Sequence, residues 1–211
     1  MAGKILDVRR LPARARLAGR DVTGGCPAPR PEFLTFAGAP SLRATQRAVP
    51  TDFLGLFTVL AVARVRFVVV GGLALILHGL DRLTADVGLV IDLSAENMRD
   101  AVLALTAAGY RPMAPVDPSE LADPDRRHEW RTTRDMQVFS FWDSTNQRPT
   151  VDIMLDAIVP LDELWSDSTM VALGSHDVHV ASIPHLIRMK EVAGRPQDQS
   201  DIERLRTLLS R

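Results

Sequence analysis

Residues 67–93 read FVVVGGLALILHGLDRLTADVGLVIDL. The β-branched run Arg66–Val70 is the pattern of a buried strand, closed by Gly71-Gly72. Leu73–His78 is too short to show a period of its own, but it follows the glycine pair directly, so a helix opening at that pair is the simplest path. Gly79–Thr84 is a turn, and Val87–Leu93 is a second apolar strand with Asp86 at its head. Ser94, Asn97 and Asp100 then open an amphipathic helix, Ala95–Ala108, which Gly109 ends. Strand, helix, strand and helix in quick succession predict a chain of the α+β (α/β-like) class.

The flanks agree. Thr51-Asp52 can cap a helix that carries Phe53, Leu54, Phe57, Leu60 and Ala61 on one face and runs to about Val65. Pro112–Asp125 reads as a proline-rich loop. Arg131–Arg134 leads into a strand-like run, Met136–Trp142, which a turn at Asn146-Gln147 joins to Thr150–Leu155 as an antiparallel hairpin. Leu161–Trp165 is a short helical or irregular piece. Met170–Leu173 and Val178–Ala181 form a second hairpin. Pro184 suits the first turn of a helix that stops at Gly194, and Asp198 or Ser200 starts the last helix, so a C-terminal helical pair closes the chain.

The 211 residues include 46% hydrophobic and 24% charged side chains, the balance of an ordinary globular domain. No apolar run approaches the ~18 residues a membrane span needs, and residues 1–30 lack a signal-peptide core, so a cytoplasmic protein with no membrane partner is expected. The single Cys26 excludes an internal disulfide and a Cys-based zinc site. The net charge of -1 hides an asymmetry, because most of residues 1–50 is basic and proline- and glycine-rich while residues 51–211 are acidic. Residues 1–50 therefore read as a poorly ordered basic leader with at most a short helix or strand near Ile5–Leu17, and residues 51–211 as the folded domain. An acidic body does not suggest a broad nucleic-acid footprint, but it suits carboxylates that hold a metal ion.

A glycine pair after a buried strand lets backbone N–H groups approach a phosphate, and a helix opening there adds its dipole. Thirteen residues separate Gly72 from Asp86, room for a short helix and a return that brings the second strand back to the glycine turn. A carboxylate there would face a phosphate across a divalent cation. Asp152, in the apolar run VDIML, is a second carboxylate in a setting that is costly unless the charge is paired or ligates metal, although strand alternation also allows it to face outward. If its strand lies beside Val87–Leu93, Asp86 and Asp152 could share one cation. Two-metal phosphoryl transfer wants a further carboxylate two residues after Asp86, and that position is Gly88. Asp92 has the right parity but lies about 20 Å further along a strand. His78, Trp130 and Trp142 read as packing residues, with base stacking the alternative for the tryptophans.

Gly71, Gly72, Ala74, His78, Gly79, Arg82, Thr84 and Asp86, with Asp152 in a later apolar strand, resemble the DNA polymerase beta-type nucleotidyltransferase superfamily. They are closest to its small bacterial branch of AbiEii- and MenT-like toxins. The tail KEVAGRPQDQSDIERL is similar as well, through Lys190, Arg195, Asp198 and Asp201. The resemblance spans about residues 52–211. It implies a nucleotidyltransferase fold with a small mixed β-sheet flanked by helices, a nucleoside triphosphate bound with Mg²⁺ (or Mn²⁺), and transfer of a nucleotidyl group to an acceptor hydroxyl. That acceptor is an RNA such as a tRNA end, or a protein, and a cognate antitoxin is the usual partner. By the same resemblance Gly71 and Gly72 hold the triphosphate, Asp86 and Asp152 are metal ligands, and Asp152 activates the acceptor. Lys190 reaches the phosphates, Asp198 orients Lys190 or binds acceptor, and Arg82 and Thr84 shape the turn before Asp86. The family carries a carboxylate at the position of Gly88. Three readings of that glycine stand: a degenerate nucleotide- or antitoxin-binding module, an inactivated variant, or an enzyme with one-metal activity.

Overall fold

The computed structural model describes Leu6–Asp7, residues 53–145 and residues 147–210. The expectations for the rest of residues 1–50, for Thr51-Asp52 as a cap and for Asn146 in its turn lie outside these residues. In chain order the elements are β1 (Leu6–Asp7), α1 (Phe53–Val62), β2 (Phe67–Val70), α2 (Gly71–Leu77), β3 (Asp86–Ile91), α3 (Ala95–Ala107), β4 (Tyr110–Pro112), α4 (Pro124–Arg134), β5 (Val138–Asp143), β6 (Thr150–Met154), α5 (Leu161–Ser166), β7 (Thr169–Leu173), β8 (His176–Val180), α6 (Ile183–Ala193) and α7 (Pro196–Leu209). The strands form one mixed sheet in the order β1-β7-β8-β2-β3-β6-β5-β4. The α+β class, the mixed sheet and the C-terminal helical pair are those the sequence predicts. No helix among the described residues is long and apolar enough to cross a membrane.

β2 and β3 lie at the centre, and every residue of β2 is buried. They pair antiparallel, with Val70 opposite Gly88. β3 then pairs in parallel with β6, with Asp86 opposite Thr150 and Gly88 opposite Asp152. β5 and β6 form the expected antiparallel hairpin, and β7 and β8 the second one. Burial in β5 and β6 alternates strictly. Phe139, Phe141, Val151 and Ile153 turn inward, and Trp130 stacks on Phe139 with 5.6 Å between ring centres. Each such large side chain contributes roughly 1.5–3 kcal/mol by leaving water. The opposite face of these two strands carries Ser140, Trp142, Thr150 and Asp152 and is half-exposed.

Two stretches differ from the sequence reading. Arg131–Arg134 is the last turn of α4 and not the lead-in to a strand. Asp123 caps that helix by accepting from the Asp125 N–H, Pro124 takes its first position, and Trp130 and Arg127 are its buried residues. The helix is so polar that its inward stripe is too thin for a periodic signal. The loop assigned to Pro112–Asp125 likewise holds a 3-10 turn, Pro118–Ala122, and the residues just before it form the short edge strand β4. The last helix starts earlier than expected, because Pro196 opens it and Asp198 sits inside its first turn, accepting from the Arg195 N–H.

Candidate functional site

The glycine turn is built at the junction of β2 and α2. Gly71 has φ +69°, a left-handed backbone that a side chain would strain. Gly72 is required for a different reason. A β-carbon there would stand 2.7 Å from Thr84 Oγ1 and 3.1 Å from Thr84 Cβ, with Arg82 Nε at 3.4 Å. Thr84 and Arg82 therefore lie directly on the glycine. Helix α2 has only seven residues, so its dipole adds little, and the turn's chemistry rests on the close approach that glycine allows. Gly72→Ala is expected to lose about 1–3 kcal/mol of stability, read in a denaturant melt, because a β-branched side chain on a short turn cannot simply swing aside.

Asp86 stands exposed at the first position of β3, and Thr84 Oγ1 donates to its Oδ1 at 2.7 Å. One side chain thus touches both the glycine turn and the carboxylate. The parallel register puts Asp152 on the same face as Asp86, on the next strand and two residues further on. Strand geometry separates their α-carbons by roughly 8 Å. Burial raises the Asp152 pKa, the hydrogen bond from Ser140 opposes that, and the negative charge of Asp86 raises it further. Ser140 Oγ donates to Asp152 Oδ1 at 2.6 Å. Each carboxylate therefore has one oxygen held by a hydroxyl, which leaves the other oxygen of each for a ligand.

Gly88 lies directly opposite Asp152 and, by parity, on the face shared with Asp86. A β-carbon there would meet both Val70 Cγ2 and the Val70 carbonyl oxygen at 3.3 Å. The third carboxylate of a two-metal site is thus missing from the middle of the row, and a side chain returns there only if β2 gives way by a few tenths of an ångström. Among the described residues no three His, Cys, Asp or Glu side chains gather as a metal cage. Asp86 and Asp152 fit instead a hard cation that takes one or two carboxylates from protein and its other oxygens from substrate and water, as Mg²⁺ does.

Lys190 and Asp198 belong to a buried ion cluster at the α6–α7 junction. The Lys190 ammonium donates to Asp198 Oδ1 at 2.8 Å and to Asp201 Oδ2 at 2.7 Å. Arg195 Nε binds Asp198 at 3.0 Å, and Arg82 Nη1 binds Asp201. Lys190, Asp198 and Asp201 are all buried. Burial pushes the Asp198 pKa up, but hydrogen bonds and charge from Lys190 and Arg195 outweigh it and hold the group below its ordinary value. The cluster reaches the glycine turn through Arg82, whose Nε lies near Gly72 and is buried without a hydrogen-bond partner. Arg82 pairs with Asp201 and not with Asp86 or Asp92. The Asp92 carboxylate accepts from the Ser94 N–H and meets Arg66 at 3.5 Å.

Asp86, Asp152, Gly71, Gly72, Thr84 and Arg82 therefore gather along three adjacent strand ends, while Lys190 and Asp198 stand behind Arg82. His78 shares an Nε2 contact of 2.8 Å with the Ala181 carbonyl, and burial lowers its pKa, so a neutral ring pins the exit of β8 to α2. Sequence reasoning missed Ser140 as the partner of Asp152. The signal was a small hydroxyl alternating with Phe139 and Phe141, which puts it on the face opposite the core.

No family model and no curated protein matches the chain. Among solved structures, the antibiotic-resistance factor ANT(2'')-Ia aligns over 74% of this chain and 82% of its own, with 15% identity and a TM-score of 0.46.

Proposed function

We propose that this protein transfers a nucleotidyl group from a nucleoside triphosphate to an acceptor hydroxyl, as a polymerase beta-type nucleotidyltransferase of the bacterial toxin kind. The observation that carries the reading is the strand register. It sets Asp86 and Asp152 on one face, two residues out of register, beside a glycine turn where a side chain would be strained at Gly71 and crowded at Gly72. The triphosphate lies against Gly71-Gly72, with the Arg82 guanidinium at its side. Asp86 and Asp152 hold a divalent cation, Mg²⁺ or Mn²⁺, which when bound neutralises phosphate charge and polarises the α-phosphorus. Asp152, with its raised pKa and one oxygen held by Ser140, takes the acceptor's proton. The acceptor oxygen then bonds to the α-phosphorus as the bond to the bridging oxygen breaks, and pyrophosphate leaves. The acceptor is an RNA end, such as that of a tRNA, or a protein hydroxyl, and a cognate antitoxin is the regulatory partner. Lys190 and Asp198 act from behind, by fixing Asp201 and with it Arg82.

A second reading has its own observation. The missing carboxylate at Gly88 and the crowding around it suit a binding module that holds nucleotide without turning it over. Incubation with each α-labelled triphosphate, Mg²⁺ and total cellular RNA or protein separates the two. Label on acceptor supports transfer, and triphosphate-dependent thermal stabilisation without label supports the module. Neither effect overturns both. Gly88→Asp is expected to raise transfer by tenfold or more, because it restores the bridging ligand, at a stability loss of about 1–2 kcal/mol from the contact with Val70. Unchanged transfer in a folded Gly88→Asp protein would mean that position 88 is no part of the site.

A further inference from the structure

Two of the three tryptophans are explained by the fold. Trp130 stacks in the core on Phe139, and Trp165 stacks on His179 at 3.5 Å with the Arg66 guanidinium over its ring. Trp142 is not. It lies on the half-exposed face of β5, and among the described residues no ring stacks on it and no hydrogen bond engages its side chain. Its paired neighbour on the edge strand β4 is Arg111, an exposed guanidinium that is likewise without a hydrogen bond or ion pair among these residues.

Both side chains line an open cleft of about 870 Å³, which also takes in Asp117, Asp143, Thr145 and Arg148. The size is that of a site for a small organic ligand. Tyr110 and Asp143, which also line the cleft, turn to the inward side of β4 and β5 and stiffen the backbone behind Arg111 and Trp142. Asp143 is buried, accepts from the Thr145 hydroxyl and from Arg148 Nη2 at 2.9 Å, and the Arg148 guanidinium holds its pKa well below the ordinary range. Arg148 also lies over the Tyr110 ring at 4.6 Å. Asp143 and Arg148 are thus spent on one another, Asp117 stays exposed and accepts from the Ser119 N–H, and the open face offers a ligand one flat indole and one cation side by side.

The sheet connects this cleft to the carboxylates. Arg111 pairs with Trp142, Ser140 pairs with Asp152, and Asp86 pairs with Thr150. Continuing the β5–β6 register by two residues sets Trp142 opposite Thr150. One row across the open face therefore runs Arg111, Trp142, Thr150, Asp86, with the α-carbon of Trp142 about 10 Å from that of Asp86 at the usual strand spacing.

We propose that this cleft is a subsite for a nucleotide unit of the acceptor. Its base stacks on Trp142, its phosphate meets Arg111, and its hydroxyl end extends along the row toward Asp152. This rests on the transferase reading and names the acceptor's chemistry. The acidic balance of residues 51–211 limits the contact to one or two nucleotides, because a longer tract would meet repelling charge.

The test is equilibrium binding to the full chain of AMP and of a labelled oligoribonucleotide four residues long with a free 3′ hydroxyl. Triphosphate-dependent thermal stabilisation with Mg²⁺ is measured alongside. The oligonucleotide is expected to bind, Trp142→Ala to weaken it tenfold or more, and Trp142→Phe to keep it within about threefold. Arg111→Gln, on an exposed side chain, should weaken it and flatten its salt dependence. Triphosphate stabilisation should not move in any of these variants. AMP binding with the same sensitivity to Trp142 would identify a free nucleotide as the occupant and keep the subsite. Oligonucleotide affinity unchanged by Trp142→Ala and Arg111→Gln, no binding of either probe, or competition by a peptide acceptor alone would overturn it. Loss of triphosphate stabilisation in the unaltered protein would instead count against the transferase reading.

Discussion

Asp152→Asn is expected to abolish transfer and, in the same protein, to raise the melting temperature at neutral pH. The first effect follows from the proposed reaction, in which Asp152 takes the acceptor's proton, so its replacement costs about 10²–10⁴-fold in turnover. The second follows from the direction of the Asp152 pKa. Burial, and then the charge of Asp86, raise it above the ordinary 3.8 despite the Ser140 hydrogen bond. Between the unfolded and folded pKa values the folded chain holds more protons, so stability falls as pH rises through that window. Above the folded value the whole cost is present. Asparagine fits the same space, can still meet Ser140 and carries no charge, so the variant should be more stable at pH 7. The difference should close as pH falls below the unfolded value. Thermal melts across pH 3–8 together with a transfer assay check both halves. A variant that melts earlier than the parent at pH 7 would show that Asp152 is a stabilising charge, which the burial argument forbids.

Lys190→Met should be the most damaging substitution to stability. The ammonium bridges two buried carboxylates, and a methionine of similar length fills its space while leaving both charges behind. Breaking a buried pair costs about 3–5 kcal/mol. Asp198 keeps Arg195 and Asp201 keeps Arg82, so the lower end, about 3 kcal/mol, is expected. The melting temperature should drop by on the order of 10 °C. Because Asp198 has a lowered pKa, the stability it contributes is present above its unfolded value of 3.8 and is lost as pH falls through the folded one. Lys190→Met should therefore lose most of its deficit in acid. A Lys190 that bound phosphate directly would behave otherwise, raising KM for triphosphate with an unchanged melt.

The glycine turn, Asp86 and the strand of Asp152 were legible because each rests on a short local pattern of apolar run, glycine pair and isolated carboxylate. The neighbour relation of β3 and β6 was legible only as a condition, since no local signal states which strand pairs with which. The last turn of α4, Arg131–Arg134, reads as a lead-in to a strand because the helix has few apolar residues, and its cap at Asp123 lies inside what reads as a proline loop. The start of α7 was placed two or more residues late for a similar reason. Asp198 looked like a cap residue, whereas it is the third helical residue, reaching back to the Arg195 N–H. The hub at Asp201, shared by Lys190 and Arg82, joins residues 119 positions apart, and no pattern in one sequence encodes such a contact.

The strand order also governs when the site can exist during synthesis. Asp86 is made early, but its neighbour Asp152 comes only with β6, and Arg82 gains its anchor only when Asp201 in the final helix has been made. The central strand β2 likewise waits for β8. Pairings this distant along the chain form slowly, after the intervening loops close. A nascent or prematurely ended polypeptide would thus carry the glycine turn and Asp86 without a completed centre, and the proposed chemistry would begin only with the whole domain.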